Sequence, residues 1–131
     1  MAFGRQTDAT LVKPLEGAIV RRFTAGSAIE AGEAVAMASD GAIDPADASA
    51  ITLAMALGVA LGPNDYAAGD RVDVVTFGPV VCYIDMTIGD VLYVSDTAGE
   101  CSHTAGTKTS IIGMPESATT LFVSPQWIAQ A

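Results

Sequence analysis

The sequence predicts an all-β fold, a small barrel or sandwich built from two strand-rich halves. Three observations lead there. Thirteen glycines are spaced almost evenly along the 131 residues and cut the chain into apolar pieces of strand length. Three of them are followed by an acid and then an extended run: Gly32-Glu33 before AVAM, Gly69-Asp70 before RVDVVTF, and Gly89-Asp90 before VLYVS. The order of these signals then recurs in the second half of the chain.

A glycine can take the positive φ that a tight turn requires, and an acid after it can bond back to the turn amides or face water. Each Gly-acid pair therefore marks the start of a strand. After Gly69-Asp70 the residues alternate, Val72, Val74 and Thr76 against Arg71, Asp73, Val75 and Phe77, which predicts one inward and one outward face. After Gly89-Asp90, Leu92 and Val94 alternate with Val91, Tyr93 and Ser95.

In each half the Gly-acid turn opens a strand, and a second turn (Ser39-Asp40-Gly41, or Asp96 to Gly99) folds it back. A variable loop follows, then an apolar segment around Gly58 or Gly113, then a closing strand. The offset between the halves drifts from about 57 to about 50 residues, and the drift falls in loops, where length changes cost little. The expected division is an arm over residues 1–27 and a body over 28–131, with half-repeats near 28–80 and 81–131.

Between Asp44-Pro45 and Leu57 the chain is rich in helix formers, yet the matching stretch around Thr107 reads as strand. A short helix or turn near residues 45–49 followed by a strand from Ile51 is the expectation. The first 27 residues show no sustained period, apart from a strand expected at residues 18–24. Such a segment cannot bury Phe3, Leu11, Val12, Leu15, Ile19 and Phe23 alone, so it must lie on its own body or on a neighbour.

Charge sharpens the contrast. Six basic against fifteen acidic residues give a net charge of −9, which opposes phosphate backbones and anionic membranes, so neither nucleic acid nor membrane is an expected partner. Four of the six basic residues, Arg5, Lys13, Arg21 and Arg22, fall in the first 22 positions. The longest apolar run, residues 48–61, is too short to span a bilayer. The first 20 residues carry charge throughout and lack the apolar core of a secretory signal, so synthesis in a cytoplasm and free thiols at Cys82 and Cys101 are expected.

Chemistry is sparse. Catalysis needs a nucleophile beside a base, a tuned acid and base, or spaced metal ligands. One histidine, His103, sits among turn residues, where an ordinary loop role outweighs a general base. Cys101 and His103 alone fall short of a zinc pattern, and Asp40, Asp44 and Asp47 are too loosely spaced for a calcium loop. No catalytic residue, metal or cofactor is expected. Trp127, the sole tryptophan, follows the last strand and is read either as folded back on the core or as an interface anchor.

The segments AGEAVAMASDGAI (31–43), LGVAL (57–61), AAGDRVDVVTFGPV (67–80), IGDVLYVSDTAGE (88–100) and IIGM (111–114) together resemble the head decoration, or cement, proteins of tailed bacteriophages. The resemblance covers about residues 28–124. It implies a β-barrel-like body that assembles, commonly as a homotrimer, on the outer surface of the virion capsid. It also implies the major capsid protein as partner and a non-enzymatic, stabilising role. By that resemblance the N-terminal arm clamps the shell, through Phe3, Arg5, Leu11, Val12, Lys13, Leu15, Arg21, Arg22 and Phe23. Deleting residues 2–17 is then expected to spare the body and abolish binding. The long arm and the two cysteines depart from shorter members of that family. Another virion component, such as a tail or receptor-binding accessory, and a β-rich ligand-binding domain are the competing readings.

Overall fold

The computed structural model describes residues 3–127. Twelve strands, a 3-10 turn and one α-helical turn follow in order: β1 (Gly4–Arg5), the 3-10 turn (Ala9–Leu11), β2 (Lys13–Pro14), β3 (Ile19–Thr24), β4 (Ala34–Met37), β5 (Ile43–Pro45), α1 (Ile51–Ala54), β6 (Ala56–Ala60), β7 (Arg71–Val81), β8 (Tyr83–Ile84), β9 (Leu92–Val94), β10 (Cys101–Ser102), β11 (Ser110–Pro115) and β12 (Thr120–Trp127). The fold is all-β. One curled antiparallel sheet, in the order β10-β9-β11-β12-β7-β6-β4-β5, forms a half-barrel, with β2 and β3 also paired to β7. A separate two-stranded ladder joins β1 to β8.

The two halves share one topology. In the first, β4 pairs with β5 and β6, and β6 pairs with β7. In the second, β9 pairs with β10 and β11, and β11 pairs with β12. Register matches too, because a bulge follows Val35↔Gly58 in one half and Leu92↔Gly113 in the other.

The reason for glycine at both bulges is close approach. A Cβ on Gly58 would lie 2.1 Å from the Val75 carbonyl oxygen, and one on Gly113 would lie 2.1 Å from that of Phe122. These are equivalent points on the closing strands, since Val59 pairs with Val75 as Met114 pairs with Phe122.

The turns before the strands work as their residue types dictate. Gly32, Gly69 and Gly89 all have positive φ. The following acids bond back over three residues in two cases: Glu33 Oε1 accepts from the Glu30 amide (2.9 Å), and Asp70 Oδ2 from the Ala67 amide (2.8 Å). Asp90 instead faces His103.

Strand β7 is long enough to serve both halves. Residues 71–77 pair with β3, and residues 74 and 75 also with β6, while residues 78–81 pair with β12. Gly78, at φ 111°, sits where the partners change, and Ala18 and Gly17 pass within 3.1 Å of where its side chain would be.

Burial departs from the simple alternation expected here. Val72 and Val74 join Ile29, Val35, Ile43 and Ala60 in one core cluster, while Val75 joins Val59, Val80, Leu92, Ile112, Leu121 and Val123 in a larger one. At Val74 and Val75 both faces of β7 are buried, so the strand reads there as a continuous apolar run. In β9 the alternation holds, with Leu92 and Val94 fully buried.

The helical turn also falls later than expected, at Ile51–Ala54, and the strand begins at Ala56 rather than Ile51. Asp47 accepts bonds from both the amide and the hydroxyl of Ser49 (2.9 and 2.6 Å), so residues 47–49 form a side-chain-closed turn instead of starting a helix. No helix among the described residues is long and apolar enough to cross a membrane.

Gly58→Ala and Gly113→Ala are each expected to lower unfolding free energy by about 2 kcal/mol or more, because the new methyl overlaps a backbone oxygen that cannot step aside. Gly4→Ala, which meets nothing within 4 Å, is expected to change it by less than about 0.5 kcal/mol. Urea unfolding of the three variants checks both statements.

Candidate functional site

The N-terminal residues lie on the body. Six residues of β3 pair with β7, Lys13 and Pro14 pair with Val81 and Val80, and β1 pairs with β8. This revises the contact set expected of an arm. Val12 is only 2% exposed and belongs to the main core cluster, so it has no surface to offer a partner. Phe23 packs half-buried against the smaller cluster, with the Arg21 guanidinium 5.1 Å above its ring. Arg5 is committed internally: Nε donates to Glu100 (2.9 Å), one terminal nitrogen to the Ala31 carbonyl (3.0 Å) and the other to Glu30. Its side chain is 12% exposed. Deleting residues 2–17 would therefore strip Val12 and Arg5 from the fold and is no clean test of a surface.

What remains outward is Leu11, Lys13, Leu15, Arg21 and Arg22, with Phe3 partly covered by its stacking on Tyr83 (5.3 Å) and its contact with His103 (5.1 Å). Arg22 pairs with Asp73 across the strands (2.9 Å), which holds its pKa up. Trp127 ends β12, its backbone paired with Ser110; its side chain, and residues 128–131, lie outside the described residues.

A second exposed feature was not anticipated. Ile19 pairs with Phe77, Met114 pairs with Phe122, and the Phe77 and Phe122 rings meet edge to face at 5.1 Å. Cross-strand partners share a face, so these four side chains form one apolar band over β3, β7, β12 and β11. Ile19 is 53% exposed and Met114 48%. Beside the band lies a groove of about 260 Å³ lined by Val91, Ile111, Met114, Phe122, Ser124 and Gln126. The β3 strand, exposed over its first four residues, pairs with β7 alone, so its second edge carries no strand among the described residues. No single stretch of sequence announces the band, because its members come from four strands.

The groups with chemical potential are occupied structurally. His103 Nε2 accepts from the Thr87 amide (3.1 Å), which leaves the proton on Nδ1 to be donated to the Val91 carbonyl (3.1 Å). The ring thus clips the turn that precedes β9. Cys82 and Cys101 are buried free thiols. Burial, then the neighbouring Cys101, pushes the Cys82 thiol well above its ordinary value, and burial pushes Cys101 up to about 12. Thiols held protonated in this way are poor nucleophiles. Tyr83 is raised by burial first, and its oxygen accepts from the Cys101 amide (2.6 Å). Among the described residues no group of three or more His, Cys, Asp or Glu is placed to hold a metal ion.

No family model matches the sequence, and no curated protein matches it either.

Glu33 offers a test of the electrostatics around Arg5. Desolvation is the largest influence on its carboxyl and raises its pKa in the fold. A raised carboxyl pKa gives stability that is present below the ordinary glutamate range and lost as pH climbs through the raised value. Glu33→Gln is therefore expected to melt at or above the wild-type temperature near pH 7 and to lose that advantage near pH 4, as read by thermal unfolding at both pH values. A variant less stable than wild type near neutrality would contradict the assignment.

Proposed function

We propose that this chain is a non-enzymatic structural protein that binds the outer surface of a bacteriophage capsid and stabilises the shell, a head decoration protein. The carrying observation is the apolar band of Ile19, Phe77, Phe122 and Met114, on a chain of net charge −9 whose N-terminal strands also carry the exposed cations Lys13 and Arg21. A contiguous apolar face rimmed by polar groups marks an interaction site. The sequence resemblance supplies the kind of partner, the major capsid protein, and the homotrimeric assembly and virion location that go with it.

Physical considerations favour this reading over the alternatives. His103 and both cysteines hold structural posts. A cement needs no chemistry. It needs an interface of about 1,600 Å² and many copies, each adding a modest contact. Leu11, Lys13, Leu15, Ile19, Val20 and Arg21 supply exposed surface on the N-terminal side, and the open edge of β3 can accept an extended segment as an added strand.

The test uses capsids that lack their own decoration protein. Wild-type protein is expected to co-sediment with them to saturation and to raise the temperature at which they release DNA. Phe77→Ser combined with Lys13→Glu and Arg21→Glu, all at exposed positions, is expected to leave the fold intact and weaken binding by at least about tenfold, a loss of about 1.4 kcal/mol. Equal binding by the triple variant would remove the face from the proposal. Failure of the wild-type chain to bind any such shell would remove the proposal itself.

A further inference from the structure

Residues 3–14 are attached to the molecule differently from the strand that follows them. Their two strands are two residues each, β1 on β8 and β2 on β7, whereas β3 is held by a six-residue ladder. Between the two regimes lies the turn at residues 15–18, where Gly17 has φ 95° and Leu15 donates to the Pro79 carbonyl (3.0 Å).

The remaining anchors are few and specific. Phe3 stacks on Tyr83, the Gln6 amide donates to the Cys82 carbonyl (2.8 Å), and Val12 inserts into the core and accepts from the Gly62 amide (2.9 Å). The Arg5 guanidinium joins Glu30 of the first half-repeat to Glu100 of the second. Desolvation is the largest influence on Arg5, and the bonds to Glu100 and Glu30 outweigh it. An ionic clasp of this kind is strongly conditional, because a buried charge that loses its partners is expelled towards water.

We propose that residues 3–14 form a releasable strap, clasped by Arg5 between Glu30 and Glu100 and hinged at residues 15–18, that opens ahead of global unfolding and bares the cluster of Tyr83, Cys82 and Cys101 beneath it. Segments with short ladders and few apolar anchors open at lower free energy than core strands. The chain has only two cysteines, and both lie in this cluster. Thiol reactivity therefore reports the strap directly, with no added label. This inference is independent of the shell-binding reading, since it concerns how the chain covers its own core.

The experiment measures native-state modification of the full-length chain by a chromogenic aryl disulfide, beside hydrogen exchange at the Gln6 and Val75 amides. In the wild type, Gln6 is expected to exchange at least tenfold faster than Val75 after correction for intrinsic rates, and thiol modification to follow Gln6. The double variant Glu30→Gln/Glu100→Gln is expected to speed modification at least tenfold, with exchange at Val75 nearly unchanged. Arg22→Ala, which removes a cation outside the clasp, is expected to change neither. If Gln6 and Val75 exchange together in the wild type, or if the double variant speeds both thiols and Val75 equally, opening is global and there is no strap. The wild-type comparison decides the question even if the double variant does not fold.

Discussion

Strand β7 is the constraint on which the rest of the structure depends. It pairs with each of β2, β3, β6 and β12, and it sends Val72 and Val74 into one core cluster and Val75 and Val80 into the other. A strand that feeds both core clusters and is recruited at both ends fixes the relative placement of the two halves. Gly78 permits this, since the N-terminal chain at residues 17 and 18 crosses so close to it that a side chain would not fit. The duplicated units are thus welded through one shared member, unlike repeats that merely stack on one another.

The matching turns and glycines of the two halves were legible in the sequence because their signals are steric and local. Gly-acid turns need positive φ, and Gly58 and Gly113 are required wherever a neighbouring carbonyl comes within 2.1 Å of a Cβ position. These demands act on single residues, whatever the rest of the segment contains. The N-terminal segment was harder to read because its pairing is in short pieces, broken by a three-residue helical turn at Ala9–Leu11 and by the glycine turn at residue 17. No window is long enough to show a period. Val12 shows the consequence: its burial depends on where β7 and Gly62 lie, which is information carried fifty to seventy residues away.

The candidate face illustrates the same limit. The basic side chains of the N-terminal segment were visible as a cluster in sequence, but Arg5 proved to be internal and Arg22 to be paired with Asp73. The apolar half of the face, Ile19 with Phe77 and Met114 with Phe122, exists only once four strands are laid side by side. Its members look in isolation like the ordinary scatter of exposed hydrophobes that every domain carries. His103 is a third case, because its role as a clip on the turn before β9 depends on residues 12 and 16 positions away.

The two adjacent arginines of β3 have a consequence for how copies of this chain live side by side. Were two molecules to join through that bare strand edge in antiparallel register, Arg21 and Arg22 of each would be driven against those of the other, and like charges placed directly across a ladder oppose pairing. That one register of self-pairing through the β3 edge is thereby disfavoured, whereas a segment that sets acidic residues opposite Arg21 and Arg22 meets no such penalty.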